Sequence, residues 1–473
     1  MFAPSLFLLM HTSRDNFRFL TEAPVHRVVL TMAVPTIISM LVTALYNLAD
    51  TFFVSQINTQ ATAAVGIVFS IMSMVQALGF FFGHGSGNYV ARKLGARQTE
   101  EAEVMAATGF AYSLTAGMLV ALLACFFTTD LSLALGSTAT ILPYTEAYLG
   151  IALWGAPFMT ASLTLNNQMR FQGNAGYAMF GILSGALLNV VLDPLLIFVL
   201  DMGIQGAACA TVVSQFVGFL VLLRMTREGG GIRIRLSRVS FRPTLLKEIL
   251  FGGTPSLMRQ GLTGLSVIAL NLAAARFGDC AIAGMSIVSR SCYFVFAATI
   301  GLGQGFQPLC GFCYGARRYD RVREGFFFCV KTGSVFLLTC AVAGMVFAPE
   351  IVSFFRDEAE VVAVGAAALR WQMVSFVLLP TIGLTNMMMQ TIRRPLEANF
   401  VAAARSGLFF IPLVLWLPRC WGLTGLEMCQ AVSDVLSFVV CFFIARRAFR
   451  MMRRMENEKD TVQNTEGMFK KLG

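Results

Sequence analysis

The feature that most constrains this sequence is a succession of long apolar segments. A helix needs roughly 20 apolar residues to cross the hydrocarbon core of a bilayer. Segments of that length cover approximately residues 28–54, 61–91, 103–127, 141–169, 176–200, 205–225, 246–276, 281–311, 325–348, 361–390, 398–418 and 424–447. Only 13% of the residues are charged, whereas a soluble domain has roughly 25%. We therefore predict an all-α integral membrane protein with twelve transmembrane helices.

The basic residues occupy every second gap between these segments. They are concentrated in residues 92–97, 224–247, 317–323 and 446–454, whereas residues 56–60 and 128–140 contain none. Lys and Arg accumulate on the cytoplasmic side of membrane proteins, so both termini are predicted to be cytoplasmic. The net charge of +10 does not predict a nucleic-acid partner, because the basic residues do not follow one soluble face.

The chain also contains an internal repeat with an offset of about 220 residues. Matching positions are Pro35 and Pro255, Gly83-x-Gly85 and Gly303-x-Gly305, Gly95-Ala96-Arg97 and Gly315-Ala316-Arg317, and Pro194 and Pro412. Each half has an even number of spans, so the repeat is predicted to be parallel, as in one class of transporters. The predicted parts are an N-terminal extension (1–23, cytoplasmic or interfacial), a six-helix lobe (24–225), a basic cytoplasmic linker (226–245), a second six-helix lobe (246–450) and a polar cytoplasmic tail (451–473).

Four polar residues of the first half are predicted to lie at a similar depth. At 1.5 Å per residue, Asp193 lies roughly 15 Å below the outer turn at Gly203, Thr211 roughly 12 Å and Asp50 roughly 10 Å below the outer surface. Asn189 precedes Asp193 by one helical turn and faces the same side. An acid inside the hydrocarbon costs at least about 2.5 kcal/mol, which favours a functional role.

This layer of oxygens can serve two chemistries. Carboxylates with amide and hydroxyl oxygens are hard ligands that suit Na⁺, and an apolar setting favours the protonated form of a carboxyl group. The sequence therefore predicts coupling to H⁺ or Na⁺ at Asp50, Asn189, Asp193 and Thr211. The structural alternative is that Asp50 caps a helix end and Asp193 bonds the backbone beside Pro194.

Several motifs resemble the multidrug and toxic compound extrusion (MATE) family, in its bacterial branch with the key aspartate on the first helix. They are Pro35 to Ser55, the Asn189-x-x-x-Asp193-Pro194 step, Gly203-x-x-Gly206-Ala207-Ala208-x-Ala210-Thr211, and Gln304-Gly305-Phe306-Gln307-Pro308 with Gly311 and Tyr314-Gly315-Ala316. The resemblance implies a V-shaped pair of lobes in a bacterial inner membrane. It also implies export of cationic or amphipathic drugs in exchange for H⁺ or Na⁺, with the four residues above as the coupling site.

The second half differs from some of these relatives. Residues 261–275 and 372–390 contain no Asp or Glu, and the repeat mates of Asn189, Asp193 and Thr211 are Gly407, Ile411 and Gln430. Coupling is therefore predicted in the first half alone.

Cationic residues of the second half also lie within predicted spans. Arg259 and Arg405 are expected to extend to lipid headgroups. Arg290, roughly 13 Å deep, is expected either to hold helices together or to bind an anionic substrate group. Asp434 is a candidate partner for such a cation.

The predicted cargo is a small amphipathic molecule, moved by a monomer in contact with membrane lipid. Phe158, Met373 and Met387, with Arg290, are candidates for the wall of a substrate cavity, because aromatic and thioether side chains adapt to varied ligands. Most such residues in a membrane protein pack helices or face lipid instead.

Two other functions compete with export. A flippase for lipid-linked or other amphiphiles needs a deep cationic cavity, for which Arg290 is the candidate. A membrane-embedded enzyme needs a nucleophile or a metal cluster, and His11, His26 and His84 are too dispersed for one. We therefore predict neither an enzyme, nor a resident cofactor, nor a structural metal.

Overall fold

The computed structural model describes residues 16–228 and 231–472, with the backbone alone for residue 48 and residues 459–472. Most of the predicted N-terminal extension, residues 1–15, lies outside the described part. All regular structure in that part is helical, because a backbone in hydrocarbon must satisfy its own hydrogen bonds.

The described part of the first half contains nine α-helices. They are α1 (Asn16–Glu22), α2 (Val25–Ser55), α3 (Thr59–Gly95), α4 (Thr99–Phe126), α5 (Thr128–Ala134), α6 (Leu142–Ala152), α7 (Ala156–Phe171), α8 (Ala175–Pro194) and α9 (Gly203–Glu228). A π-helical turn, Leu195–Val199, extends α8 beyond Pro194. The second half, as far as it is described, contains eight α-helices. They are α10 (Pro243–Ala274), α11 (Asp279–Gly315), α12 (Tyr319–Val346), α13 (Ala348–Phe355), α14 (Ala359–Phe376), α15 (Leu379–Thr391), α16 (Pro395–Ala403) and α17 (Phe410–Leu472).

The predicted number of spans is confirmed by these helices. In the described residues, nine helices are long and apolar enough to cross a bilayer, and α14 with α15 forms a tenth span bent by 55°. The 32-residue α10 has the length of a span but carries Arg259, Gln260 and many small polar residues. Non-helical dihedral angles at Trp421 and Gly422 divide α17, which completes the twelve.

Two spans are broken where the sequence predicts proline kinks. A 3₁₀ turn, Leu153–Gly155, separates α6 from α7 just before Pro157. The bend between α14 and α15 comes just before Pro380. Proline removes a backbone donor and clashes with the preceding turn, so the helix yields on its N-terminal side.

The internal repeat is visible in local contacts as well as in sequence. Asn166 Nδ2 donates to the Ala178 carbonyl at 2.8 Å, and Asn386 Nδ2 donates to the Ala398 carbonyl at 2.7 Å. Arg97 and Arg317 both adopt positive φ, 60° and 57°, at the end of the matching Gly-Ala-Arg steps. Each half therefore builds its turns and helix contacts in the same order.

The chain divides into two compact units, which are described separately. The first contains Thr31–Leu94 and Gln98–Leu257. One end of this unit has a core of small and aromatic residues from α2, α3, α6 and α9, among them Ala61, Ala64, Tyr148, Ala207 and Ala208. Small residues let helix backbones approach closely in lipid, and this core lies around the predicted coupling site.

The second unit contains Arg18–Leu30, Gly95–Arg97 and the chain from Met258 onward. Its start is tied to the turn before α12 and to α12 itself: Arg318 Nη1 donates to the Thr21 carbonyl at 3.0 Å, and Arg321 donates to the Ala23 carbonyl. The division between the units therefore falls within α2, after Leu30, and within α10, after Leu257.

Candidate functional site

Three helices of the first unit carry the four polar residues predicted to form one layer. Asp50 lies near the end of α2 and is partly buried. Asn189 and Asp193 lie one turn apart on α8 and are 1% and 0% exposed, and Thr211 on α9 is 8% exposed. Pro194 and the following π turn interrupt the regular ladder here, and π turns occur often at functional sites.

The structure brings the two acids close together. Asn189 Nδ2 donates to Asp193 Oδ1 at 3.3 Å, as their spacing predicts. Asp50 acts electrostatically on Asp193, and both carboxyl groups act on the phenol of Tyr46. Two acids therefore share one apolar environment, where the repulsion between two negative charges is strong.

Three buried oxygens of this cluster have no hydrogen-bond partner among the described residues. They are Asp50 Oδ1, Asn189 Oδ1 and Asp193 Oδ2. Buried polar atoms are nearly always satisfied, so each exception calls for an explanation. All three are acceptors, and a proton or a small hard cation would satisfy them. Within the described residues no cluster of His, Cys, Asp and Glu offers a site for a transition metal.

Two tyrosines complete the site and were missed by the sequence prediction. Tyr46 precedes Asp50 by one turn on α2, and this i, i+4 spacing could have revealed it. Tyr148 on α6 is 5% exposed. Its phenol lies within hydrogen-bonding reach of the Thr211 side chain and within electrostatic reach of Asp50 and Asp193. No sequence signal links Tyr148 to these acids, because α6 is distant from both of them along the chain and comes near them only in the folded protein.

The residues predicted to line a substrate cavity lie in different environments. Phe158 packs edge-to-face on Phe216 and at a tilt on Phe219, at ring-centroid distances of 4.9 and 5.8 Å. Met373 and Met387 are 5% and 4% exposed. Their sulfur atoms lie against Gly344 and Gly303, where the two side chains fill the space between packed helices.

The cations of the second half also differ from expectation. Arg290 is exposed. Arg405 was predicted to extend to the headgroups, and this is wrong: its Nε lies 2.8 Å from Oδ1 of the fully buried Asp434. Arg259 is likewise drawn inward, since its Nη1 donates to Asn386 Oδ1 at 3.3 Å. Buried partners hold these two guanidinium groups because burial of an unpaired charge is unfavourable.

Comparison with known proteins adds independent information. The MatE family model matches residues 35–195 and 255–416, which are corresponding parts of the two halves. The chain is 24% identical over 454 residues to the multidrug export protein MepA of Staphylococcus haemolyticus, covering 96% of this chain and 99% of that protein. It is 26% identical over 432 residues to MepA of Staphylococcus saprophyticus, covering 91% and 95%.

Solved structures show the same architecture. One is the outward-facing conformation of a multidrug resistance MATE family transporter of the MOP superfamily. It has a TM-score of 0.85 and 25% identity, covering 96% of this chain and 99% of that one. A crystal structure of MATE in the bent conformation has a TM-score of 0.86 at 24% identity, with the same coverage of 96% and 99%.

Proposed function

This chain belongs to the MATE family of multidrug efflux transporters, and from that premise we propose that it exports amphipathic, positively charged small molecules in exchange for H⁺ or Na⁺. The observation that carries the proposal is the pair of acids in the first unit with three unpartnered acceptor oxygens around them. Placing them in hydrocarbon is unfavourable unless they bind a cation or proton during the cycle. Relatives named as multidrug export proteins support the choice of cargo.

We propose alternating access of the two lobes as the transport mechanism. A cation or proton that enters from outside neutralises Asp50 and Asp193 and removes their repulsion. α2 then repacks, and Pro35 inside this helix gives it a point at which to bend. The ion shifts the equilibrium because it binds one conformation better than the other, which is the only way a ligand can do so.

We also propose that the protein lies in the bacterial cytoplasmic membrane with both termini inside. The alternation of basic and non-basic gaps supports this orientation. A flippase for amphiphiles receives less support, because Arg405, one of the cations within the spans of the second unit, is already paired with Asp434.

The test is dye efflux from inverted membrane vesicles, with a proton gradient and a sodium gradient imposed separately. We expect one gradient to drive efflux by the parent protein. Asp50→Asn and Asp193→Asn should each reduce gradient-driven efflux at least tenfold, because an amide cannot exchange a proton or balance the charge of a cation.

The matched control is Asp201→Asn. Asp201 is exposed, follows the π turn after α8, and has φ of 53°, a conformation that Asn tolerates well. It should transport like the parent. Coupled efflux by Asp50→Asn or Asp193→Asn at the parental rate would contradict the proposal.

A further inference from the structure

Asp434, a buried acid of the second unit, has a cation beside it, whereas Asp50 and Asp193 of the first unit form no ion pair within the described residues. Nε of Arg405 donates to Asp434 Oδ1 at 2.8 Å, and Gln430 Nε2 donates to the same oxygen at 2.9 Å. Oδ2 accepts from Ser375 Oγ at 3.1 Å and from Gln372 Nε2 at 3.3 Å. Both oxygens of this 0% exposed carboxylate are therefore satisfied.

The backbone holds Arg405 in place for this pairing. The residue lies in a second π turn, Ala404–Leu408, between α16 and α17. Such a turn leaves carbonyls without their usual helical partners. Here the Arg405 carbonyl accepts from Ser433 Oγ at 2.8 Å, and the Ser406 carbonyl accepts from Ser266 Oγ. The guanidinium carbon lies 5.0 Å from the ring centroid of Phe296 on α11, a cation–π distance.

The two acidic clusters occupy corresponding spans of the repeat. In the first half the side chains come from the fourth, fifth and sixth spans through Tyr148, Asp193 and Thr211, with Asp50 from the first. In the second half they come from the tenth, eleventh and twelfth spans through Gln372, Arg405 and Asp434. The fifth span therefore provides an acid and the eleventh span a cation, although Arg405 is not at the position of the repeat that corresponds to Asp193.

We infer that Arg405 is a tethered cation, which gives Asp434 permanently the positive charge that Asp50 and Asp193 take from solution. The role of Arg405 beside Asp434 is inferred from the contacts of Asp434 alone. Only the comparison with a cation bound at Asp50 and Asp193 rests on the proposed function. Without the guanidinium, the Asp434 carboxylate keeps its negative charge, and two amide groups and a hydroxyl remain beside it. With the two amides turned so that their oxygens point into the vacated space, these groups form a latent site for a monovalent cation, Na⁺ or Li⁺, and the carboxylate alone can take up a proton.

The test measures thermal unfolding of the full-length protein in detergent, in the Asp50→Asn/Asp193→Asn background that removes the first site. Arg405→Met should lower the midpoint in choline chloride. NaCl or LiCl at equal ionic strength, or acidification, should raise it again by about 2–4 °C. The midpoint of Arg405→Met/Asp434→Asn should not rise with added Na⁺, Li⁺ or acid. Arg405→Lys keeps a positive charge beside Asp434, so its midpoint should be close to that of the background without added cation. The titratable or charged groups facing Asp434 are Arg405, Cys292 on α11 and Cys429 on α17.

A second comparison keeps the inference testable if Arg405→Met does not fold. Asp434→Asn alone leaves the guanidinium without a counter-charge, so it should unfold at a lower temperature than Arg405→Met/Asp434→Asn. Equal midpoints for these two variants would overturn the inference, as would a recovery by Na⁺ that persists without Asp434. Asp50 and Asp193 are replaced in every sample of this test. Its outcome therefore does not depend on whether these two acids couple transport, which is what the efflux test measures.

Discussion

At the scale of single residues, the hydroxyl of Tyr148 links two parts of the candidate site. It lies within hydrogen-bonding reach of the Thr211 side chain and within electrostatic reach of Asp50 and Asp193. Its ring belongs to the apolar core around Ala61, Ala64, Ala207 and Ala208 in the first unit. Replacing Tyr148 by Phe therefore removes one oxygen next to the acids while the ring still fills its place in the core.

Tyr148→Phe should change the half-saturating concentration of the coupling cation by about fivefold, which corresponds to one hydrogen bond of about 1 kcal/mol. The measurement is the initial rate of dye efflux from vesicles as a function of cation concentration on the outer side of the protein. The expected maximal rate stays within about twofold of the parent, because both acids remain.

The control for this prediction is on the same helix. Tyr144, one turn earlier on α6, accepts a hydrogen bond from Asn58 Nδ2 at 3.2 Å and does not interact with the acids in the described structure. Tyr144→Phe loses a bond of the same kind and should leave the cation dependence unchanged. The same shift in both variants would mean that general loosening of α6, and not the site, explains the effect.

Single residues also show where prediction from the sequence ends. Asp50 and Asp193 are recognisable because a charge in an apolar segment is costly wherever the helix turns. Asn189 follows from helical spacing alone. The Arg405–Asp434 pair depends on the rotation of two helices and on a π turn that shifts the register. A local sequence pattern shows neither the rotation of these helices nor the π turn. Arg405 was therefore expected to extend to the lipid headgroups, as an arginine near a helix end usually does.

At the scale of helices, close contacts at glycine decide how the site is held. Gly206 on α9 lies against the π turn after α8, and an added Cβ would be 2.6 Å from the Leu196 carbonyl oxygen. Its repeat mate Gly425 meets the Leu417 carbonyl in the same way. A backbone oxygen cannot move aside as a flexible side chain can, so both positions require glycine.

Gly206→Ala and Gly425→Ala should each destabilise the protein by about 1–3 kcal/mol through overpacking. The measurement is the thermal unfolding midpoint in detergent. Gly150→Ala is the control: Gly150 lies within α6, and an added Cβ would meet nothing within 4 Å. It should be neutral or stabilising by up to about 1 kcal/mol, because Ala favours helix. A loss of stability at Gly150 equal to that at Gly206 would refute the packing argument.

The helices themselves were largely predictable, and their interruptions only partly so. Apolar length predicts each span, and Pro157 and Pro380 predict two of the breaks. The π turn Leu195–Val199 follows Pro194 and is consistent with its lost donor. The turn Ala404–Leu408 has no proline within it, and two serine hydroxyls from other helices support its carbonyls. Tertiary contacts, which the sequence does not display, therefore stabilise this second turn.

At the scale of the whole molecule, duplication has preserved the fold and separated the chemistry. The turns at Arg97 and Arg317 and the amide contacts of Asn166 and Asn386 are nearly the same in both halves. The acidic clusters on corresponding spans differ in charge. The described cluster around Asp50 and Asp193 has no positively charged partner, whereas the cluster around Asp434 contains Arg405. The prediction that coupling resides in the first half alone is consistent with this asymmetry and stays a prediction.

The orientation of the whole chain leads to a prediction that uses its exposed residues. Cys420, between the eleventh and twelfth spans, is exposed and is predicted to face outward. A membrane-impermeant maleimide should therefore label the parent protein in right-side-out vesicles, and Cys420→Ser should remove most of that signal. In the Cys420→Ser background, Asp130→Cys should be labelled in right-side-out vesicles, and Arg235→Cys only in inverted ones. Both of these side chains are exposed. The opposite labelling of Asp130→Cys and Arg235→Cys would place the basic linker outside the cell. It would also reverse the direction of transport that we infer, because the charge rule that orients the chain also determines which membrane face supplies the ion to Asp50.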